Sequence, residues 1–210
     1  TYCPAYRRED LAEILALSDS VIFNSPDQIA RHADLIAQAR EAGEAFDIGL
    51  RLNPECSQAE VAKYDPCQLG SRLGFPVSQL RAEHLEGVDG LHIHALCEQG
   101  FEPLANIWTA VEPVLAPLLP NIKWLNLGGG HHVTRADYDI EALVAFVADI
   151  HARHGVEVIL EPGEAAALDA GILVGEILDV FDNGGPVAIT DISATVRPAS
   201  KRSRRNMTKR

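Results

Sequence analysis

The stretch "LNLGGGHH", Leu125–His132, runs an apolar segment directly into three glycines and two histidines. Consecutive glycines add no side-chain packing and lose backbone entropy when they become ordered, so a bare backbone here serves a purpose. Two purposes compete. The amides of such a turn bind an anion such as a phosphate group, or the glycines form only a tight turn, for which one glycine would suffice. The pattern is not G-x-G-x-x-G, and no acidic ribose ligand follows at the expected distance.

Segments typical of strands and helices alternate on both sides of this stretch. Apolar runs bounded by turn residues predict five strands, and "TYCP" at residues 1–4 fits the end of another. The five predicted strands are Ser20–Ser25, Phe46–Pro54, Gly87–Leu96, Ile122–Leu127 and Val156–Gly163.

Helical periodicity follows several of these strands. Ser25, with a proline directly after it, predicts the N-cap of a helix that ends at Gly43. Asp139 opens a second helix, which runs to Gly155. A third helical stretch is interrupted by Pro113 and by a further proline four residues later. The chain is therefore a series of β-α-β units.

Repeated β-α-β units build either an open doubly wound sheet or a closed (β/α)₈ barrel. Barrel enzymes collect functional groups at the carboxyl ends of several strands, whereas an open sheet concentrates them at one switch point. This chain places "NSP", "RLNPE", "HIHALCEQ", "GGGHH" and "EPGE" after successive strands. The pattern favours an α/β barrel. About five strands are visible, so we expect a barrel that is incomplete at its N-terminus.

Composition narrows the class of protein. The first 190 residues hold 11 Lys and Arg against 29 Asp and Glu, a net charge of −18, whereas residues 191–210 are basic. An acidic body disfavours nucleic acid and attracts cationic small molecules. The four cysteines show neither C-x-x-C nor zinc spacing, which predicts reduced thiols. With no signal peptide and no long apolar window, we expect a cytoplasmic protein that does not contact membranes.

Two histidines, His92 and His94, point to the same side of their predicted strand because side chains alternate along it. One interpretation is a metal clamp, completed by Glu161 and by His131 or His132, which would indicate a metal-dependent hydrolase. Another is an imidazole stacked on a planar cofactor ring. A third, for His92 alone, is a core histidine that is hydrogen-bonded to backbone. The metal clamp leaves the three glycines unexplained, whereas a phosphorylated aromatic cofactor accounts for both motifs.

Glu161 ends the fifth predicted strand, followed by a sharp Pro-Gly turn. A carboxylate beside a pyridine nitrogen keeps that nitrogen protonated, and a protonated ring withdraws electrons from a carbanion. Pyridoxal phosphate combines this ring, nitrogen and phosphate. The alternative is a rim glutamate that is paired with a neighbouring arginine.

Five segments together resemble the alanine-racemase-fold decarboxylases, and among these the carboxynorspermidine (carboxyspermidine) decarboxylase family. They are "SRLGF" (Ser71–Phe75), "GLHIHALCEQ" (Gly90–Gln99), "WLNLGGGHHVTRADYD" (Trp124–Asp139), "LEPGEA" (Leu160–Ala165) and "VGEILDV" (Val174–Val180). The resemblance runs to about residue 195. It implies a PLP-binding TIM-type barrel that decarboxylates carboxynorspermidine or carboxyspermidine in polyamine biosynthesis. Another fold-type III amino-acid decarboxylase and a non-catalytic PLP-binding barrel are the alternatives.

The resemblance also implies site residues. His94 stacks on the pyridine ring, Glu161 pairs with its nitrogen, and Arg72 lies near the cofactor. The remaining implied contacts are to the phosphate, from Gly128, Gly129, Gly130 and Cys97. The resemblance implies no metal ligand.

Glu164 stands where sister enzymes carry arginine, which implies contact with an amine of a cationic carboxylated polyamine substrate. Relatives work as homodimers.

Two features depart from the family pattern. The family forms its Schiff base through a lysine on an early strand, and the lysines here, at positions 63, 123, 201 and 209, do not fit that place. We therefore expect a fragment with no catalytic lysine and little or no activity. Downstream, "DISAT" runs into a basic sequence in place of the family's Cys-His-Met-Pro-Asp segment. The expected layout is a partial barrel at 1–170, the start of a C-terminal β-domain at 171–195 and an atypical basic tail at 196–210.

Overall fold

The computed structural model describes residues 1–59 and 65–192. The chain divides into two compact units, Thr1–Gly163 and Glu164–Arg210. The assignment of 171–195 to a C-terminal β-domain stays a prediction, and the basic tail lies outside the described residues. No helix in the described ranges has the length and apolar character that crossing a bilayer requires.

In its described residues the first unit has six strands and five α-helices, and the structure confirms all five predicted strands. The strands are β1 (Ser20–Phe23), β2 (Asp47–Asn53), β3 (Phe75–Pro76), β4 (Gly90–Ile93), β5 (Trp124–Asn126) and β6 (Glu157–Ile159). The helices are α1 (Arg8–Leu17), α2 (Pro26–Arg31), α3 (Ala33–Glu41), α4 (Phe101–Leu115) and α5 (Ile140–His154). Single 3₁₀ turns occupy Val77–Gln79, Ala82–Leu85 and Leu119–Asn121.

The predicted helix ends are confirmed, but the predicted course between the ends is wrong for two of the helices. The Asp139 side chain caps α5 by accepting from the Ala142 N–H, and Gly155 ends it at φ +71°. The single helix expected before Gly43 is two helices, divided at His32, whose ring lies in the core 6.4 Å from that of Phe23.

The break predicted at Pro113 is also wrong, because α4 continues through this residue to Leu115. A proline near the end of a helix removes only one of its last hydrogen bonds.

The six strands described in the first unit pair in parallel, in the order β1-β2-β4-β5-β6, and β3 pairs with the end of β2. This order follows the chain, as it does around a (β/α)₈ barrel. A doubly wound sheet reverses its strand order at a switch point, and the described strands show no such reversal. The doubly wound alternative is therefore wrong. Tyr2 forms an isolated parallel bridge to Ile22 on the outer side of β1. That "TYCP" is the end of another strand stays a prediction.

The two faces of the sheet differ in chemistry. One face carries a row of apolar residues in register, with Leu50, Leu91 and Leu125 at its centre. These three leucines belong to the main hydrophobic cluster, together with α4 side chains such as Leu104 and Val111.

The opposite face begins with the indole of Trp124, which lies over Gly90 so closely that a Cβ there would approach the ring to 2.0 Å. Beyond this layer, towards the carboxyl ends of the strands, the same face carries Arg51, His92 and Asn126 in register. The polar face therefore leads directly to the motifs singled out in the sequence.

Up to residue 192, where the described part of the chain ends, the second unit shows a short helix and a hairpin. Helix α6 spans Gly163–Ala167, and strands β7 (Ile177–Asp182) and β8 (Pro186–Thr190) pair antiparallel.

Candidate active site

Sheet register places three polar side chains in a row. His92 of β4 pairs with Asn126 of β5, which in turn pairs with Ile159 of β6. Because side chains alternate along a strand, Glu161, two residues after Ile159, lies on the same side as Asn126. The contact confirms it: Nδ2 of Asn126 donates to Oε1 of Glu161 at 2.9 Å.

Glu161 is an ionised, half-exposed carboxylate. Its Oε2 lies 3.4 Å from Nε2 of His92 and 3.9 Å from Nδ1 of His94. These contacts, first that of His92 and then that of His94, hold the pKa of the Glu161 carboxyl well below its usual range. The side chain is 45% exposed, so one side of the carboxylate is accessible from outside. The group is suited to accept an N–H from a bound ring.

The two histidines of β4 and its following turn differ in exposure. His92 is 2% exposed, whereas the His94 side chain is 38% exposed. Their ring centroids are 6.2 Å apart, which agrees with the predicted common side. The Nδ1 of His94 accepts the N–H of Gly129 at 3.2 Å, so the glycine turn itself orients this ring. No backbone group bonds the His92 ring among the described residues.

The glycine amides are not equivalent. The N–H of Gly128 donates to Oδ1 of Asn126 at 2.8 Å, and that of Gly129 donates to His94. Gly128 and Gly129 are buried, whereas Gly130 is partly exposed. Within the described chain, no protein group accepts the N–H of Gly130. Of the three amides expected to bind phosphate, that of Gly130 alone remains available in this arrangement.

Each glycine of the triplet is also required by a different neighbour. A Cβ on Gly128 would lie 2.8 Å from Cα of His94, one on Gly129 would lie 2.0 Å from the Glu161 carbonyl, and one on Gly130 would lie 2.1 Å from the Leu96 carbonyl. Even a purely structural turn at this place therefore needs all three glycines, where one was expected to suffice. The triplet lets three strand-end segments meet backbone to backbone.

The other candidate residues, Cys97, Arg72 and Glu164, differ in exposure and in the unit to which they belong. Cys97 is a partly exposed free thiol whose N–H lies 3.1 Å from the Cβ that Gly130 would carry. Arg72 is exposed, and its carbonyl accepts from Nδ2 of Asn24. Glu164 stands in the first turn of α6 and belongs to the second unit.

Arg51 and Tyr2 were missed from the sequence. Arg51 is 5% exposed, its Nη2 donates to the His94 carbonyl at 3.0 Å, and its guanidinium lies 4.5 Å from the centre of the Tyr2 ring. The Tyr2 ring in turn lies 5.7 Å from that of His92. The sequence signal for this contact was the single arginine within the apolar strand "DIGLRLN", because a buried guanidinium must be paired with another group.

The metal interpretation finds partial geometric support. Donor atoms of His92, His94 and Glu161 lie within 4.8 Å of one another, and no further His, Cys, Asp or Glu joins them in the described ranges. His131 instead bonds the Tyr138 hydroxyl at 3.1 Å.

Lys123, the one lysine within the described residues, is at the opposite end of the strands. Its Nζ pairs with Asp47 and Asp89, both at 2.8 Å, before β5 begins. Lys63 lies outside the described residues.

Comparison with known proteins finds decarboxylases that are similar to this chain. It is 35% identical to the carboxynorspermidine/carboxyspermidine decarboxylase of Campylobacter jejuni, over 92% of this chain and 49% of that protein. It is 36% identical to the carboxyaminopropylagmatine decarboxylase of Synechocystis, over 86% of this chain and 46% of that protein. No protein-family model matches.

Solved structures agree. The carboxynorspermidine decarboxylase of Campylobacter jejuni, in complex with norspermidine, superposes with a TM-score of 0.73 at 32% identity over 92% of this chain and 48% of that one. A diaminopimelate decarboxylase superposes with a TM-score of 0.66 at 17% identity over 91% of this chain and 48% of that one, and shares the fold. The chain thus spans about half the length of the relatives it matches. In sequence the chain is similar to carboxynorspermidine/carboxyspermidine decarboxylases, and its α/β fold is that of the alanine-racemase-type decarboxylases.

Proposed function

We propose that this chain provides the cofactor-binding side of a pyridoxal-phosphate-dependent decarboxylase that acts on carboxynorspermidine or carboxyspermidine. The observation that carries the proposal is the ionised Glu161 carboxylate, held by Asn126 and lying 3.9 Å from the half-exposed ring of His94. A carboxylate for a ring nitrogen and an imidazole for a ring face are the two groups that a pyridine ring requires.

The residues fit the ring of this cofactor. When bound, pyridoxal phosphate supplies a protonated ring that accepts electrons as CO₂ leaves the substrate. Glu161 accepts the ring N–H and keeps it protonated, because its own pKa is too low for it to take the proton. His94, oriented through Gly129, stacks on the ring face.

Only one N–H group of the glycine motif is proposed to contact the phosphate. Gly130 donates its N–H, because those of Gly128 and Gly129 are engaged within the protein. Cys97, adjacent to Gly130, contributes its polar atoms. Arg72 adds positive charge near the site. Gly128 and Gly129 shape the turn that presents Gly130.

A cationic substrate agrees with the charge of the protein. The net charge of −18 over the first 190 residues raises the local concentration of polyamines. Glu164 supplies the carboxylate for a substrate amine. The relatives are named for different carboxylated amines, so the substrate class is proposed on this charge and on Glu164. A homodimer is proposed from the family resemblance.

Turnover is not expected from these 210 residues alone. Lys123 is paired with two aspartates at the amino ends of the strands and cannot reach the site. Binding of the cofactor is therefore the appropriate measurement.

The test is titration of the purified chain with pyridoxal phosphate, followed by absorbance and fluorescence. Glu161→Gln and His94→Ala are each expected to weaken binding about tenfold or more, since each removes a contact to a charged or aromatic group. Glu157→Gln is the matched control, because Glu157 is an exposed glutamate at the start of β6, the strand that Glu161 follows.

Two outcomes would contradict the proposal. One is binding of pyridoxal phosphate that neither Glu161→Gln nor His94→Ala weakens. The other is stoichiometric zinc in the purified chain by elemental analysis, lost in His94→Ala, which would favour the metal cluster of His92, His94 and Glu161.

A further inference from the structure

His92 is a buried polar group to which the proposed function assigns no role. It is 2% exposed, and neither of its ring nitrogens completes a hydrogen bond within the described residues. A buried N–H without an acceptor is costly, so such a ring in a native site calls for an explanation.

The surroundings of the ring point to one acceptor. Arg51, its neighbour in register, has only donors. The Tyr2 hydroxyl donates to Oδ1 of Asn24 at 2.7 Å, and the Tyr2 ring lies 5.7 Å from that of His92. The Nδ1 of His94 already accepts from Gly129. Oε2 of Glu161 lies 3.4 Å from Nε2 of His92, within reach of its N–H.

We propose that His92 is a positioning residue for Glu161: its Nε2–H holds Oε2 while Asn126 holds Oε1, which fixes the plane of the carboxylate. Both holders stand on adjacent strands at positions paired in register, so their spacing is set by the sheet. A single bond from Asn126 would let the carboxylate rotate about its last torsion. That the fixed carboxylate faces a cofactor ring rests on the proposed function.

The charge state of His92 supports this role. Burial lowers the pKa of the imidazole, so the ring is neutral and carries one N–H at neutral pH. A protonated ring would cancel the charge of Glu161. A neutral donor orients the carboxylate and leaves its negative charge for a cationic ligand.

The first experiment needs no cofactor. In the ¹⁵N-labelled chain, nitrogen chemical shifts report which ring nitrogen carries the proton. We expect a neutral His92 with its proton on Nε2 near neutral pH, and a clear shift of this signal in Glu161→Leu. A proton on Nδ1, or ring signals that do not respond to Glu161→Leu, would overturn the positioning role whether or not the cofactor binds.

The second experiment compares His92→Leu with His92→Gln in the pyridoxal phosphate titration. Loss of a hydrogen bond to a charged group predicts binding weakened about tenfold to a hundredfold in His92→Leu. The amide of His92→Gln can donate to the carboxylate, so it should recover most of the affinity. Equal loss in both variants, or loss in neither, would overturn the inference, and circular dichroism checks that each variant is folded. Absence of binding in the unsubstituted chain would instead refute the proposed function, and the nitrogen shifts would then decide the role of His92.

Discussion

Asn126 donates a hydrogen bond of 2.9 Å to the carboxylate of Glu161, and the same side chain accepts the N–H of Gly128 at 2.8 Å. One amide therefore links the glycine turn to the acid of the candidate site. Asparagine suits this position because it combines a donor and an acceptor in one plane.

Replacing Asn126 separates these two contacts. Asn126→Asp keeps an acceptor for Gly128 but places a second negative charge beside Glu161, so we expect pyridoxal phosphate to bind about tenfold more weakly or worse. Asn126→Leu removes the hydrogen bond to Glu161 and also leaves the N–H of Gly128 without its acceptor. It should therefore lower the free energy of unfolding by about 1–3 kcal/mol. Urea unfolding and cofactor titration measure the two effects. Equal cofactor affinity in Asn126→Asp and the unsubstituted chain would refute the link.

Gly129 allows the turn to touch the segment that carries Glu161. A methyl group there would lie 2.0 Å from the Glu161 carbonyl, a backbone atom that cannot move away. We expect Gly129→Ala to lower the free energy of unfolding by about 1–3 kcal/mol. Gly100→Ala is the control, because a Cβ at Gly100 meets nothing within 4 Å and its φ is −81°. Similar losses in both variants would count against the close contact.

Arg51 connects β2 to the site through the His94 carbonyl. Arg51→Met keeps most of the apolar bulk but removes the donor and the contact with the Tyr2 ring. The buried carbonyl then lacks this partner, and the free energy of unfolding should fall by about 1–3 kcal/mol. Arg31→Met, at an exposed position on α2, serves as the reference in the same thermal and urea experiments. A change no larger than that of the reference would show that Arg51 is dispensable for the fold.

Glu112 joins α4 to α5. Burial raises the pKa of its carboxyl, but hydrogen bonds from His154 and Arg153 outweigh burial and leave this pKa lowered. A lowered carboxyl pKa stabilises the fold above the usual pKa of glutamate, and this contribution disappears as the pH falls through the lowered value.

We therefore expect Glu112→Gln to cost about 1 kcal/mol or less at pH 7, with the difference from the unsubstituted chain vanishing in acid. Urea unfolding across the acidic range measures it. Asp149→Asn is the control, because Asp149 pairs with Arg153 alone among the residues that the structure describes, and its side chain is 56% exposed. A difference that grows in acid would contradict the sign of the linkage.

Much of the candidate site was accessible from local patterns. Alternation along β4 predicted that His92 and His94 share a side, and the strand ends predicted that "HIHALCEQ", "GGGHH" and "EPGE" meet at one edge. Both predictions depend only on strand geometry and parallel pairing, and these follow from the apolar runs and their β-α-β spacing.

Other features were not accessible, because they depend on partners distant in the chain. The sequence of the glycine triplet does not show that the N–H groups of Gly128 and Gly129 bind Asn126 and His94. Nor does it show that the N–H of Gly130 remains available. The buried Arg51 depends on Tyr2, which lies 49 positions earlier and reaches it only through the sheet.

Composition and motif order by themselves determined the α/β class, the order of strands and the identity of the groups at their ends. The tertiary structure alone decided which of those groups are committed to one another. Strand register aligns His92 with Asn126, and Asn126 holds Glu161. The N–H groups of Gly128 and Gly129 are hydrogen-bonded within the protein. The physical reason is that hydrogen-bond partners are selected by distance in space, which a linear sequence does not contain, whereas strand alternation is a property of the backbone at each residue.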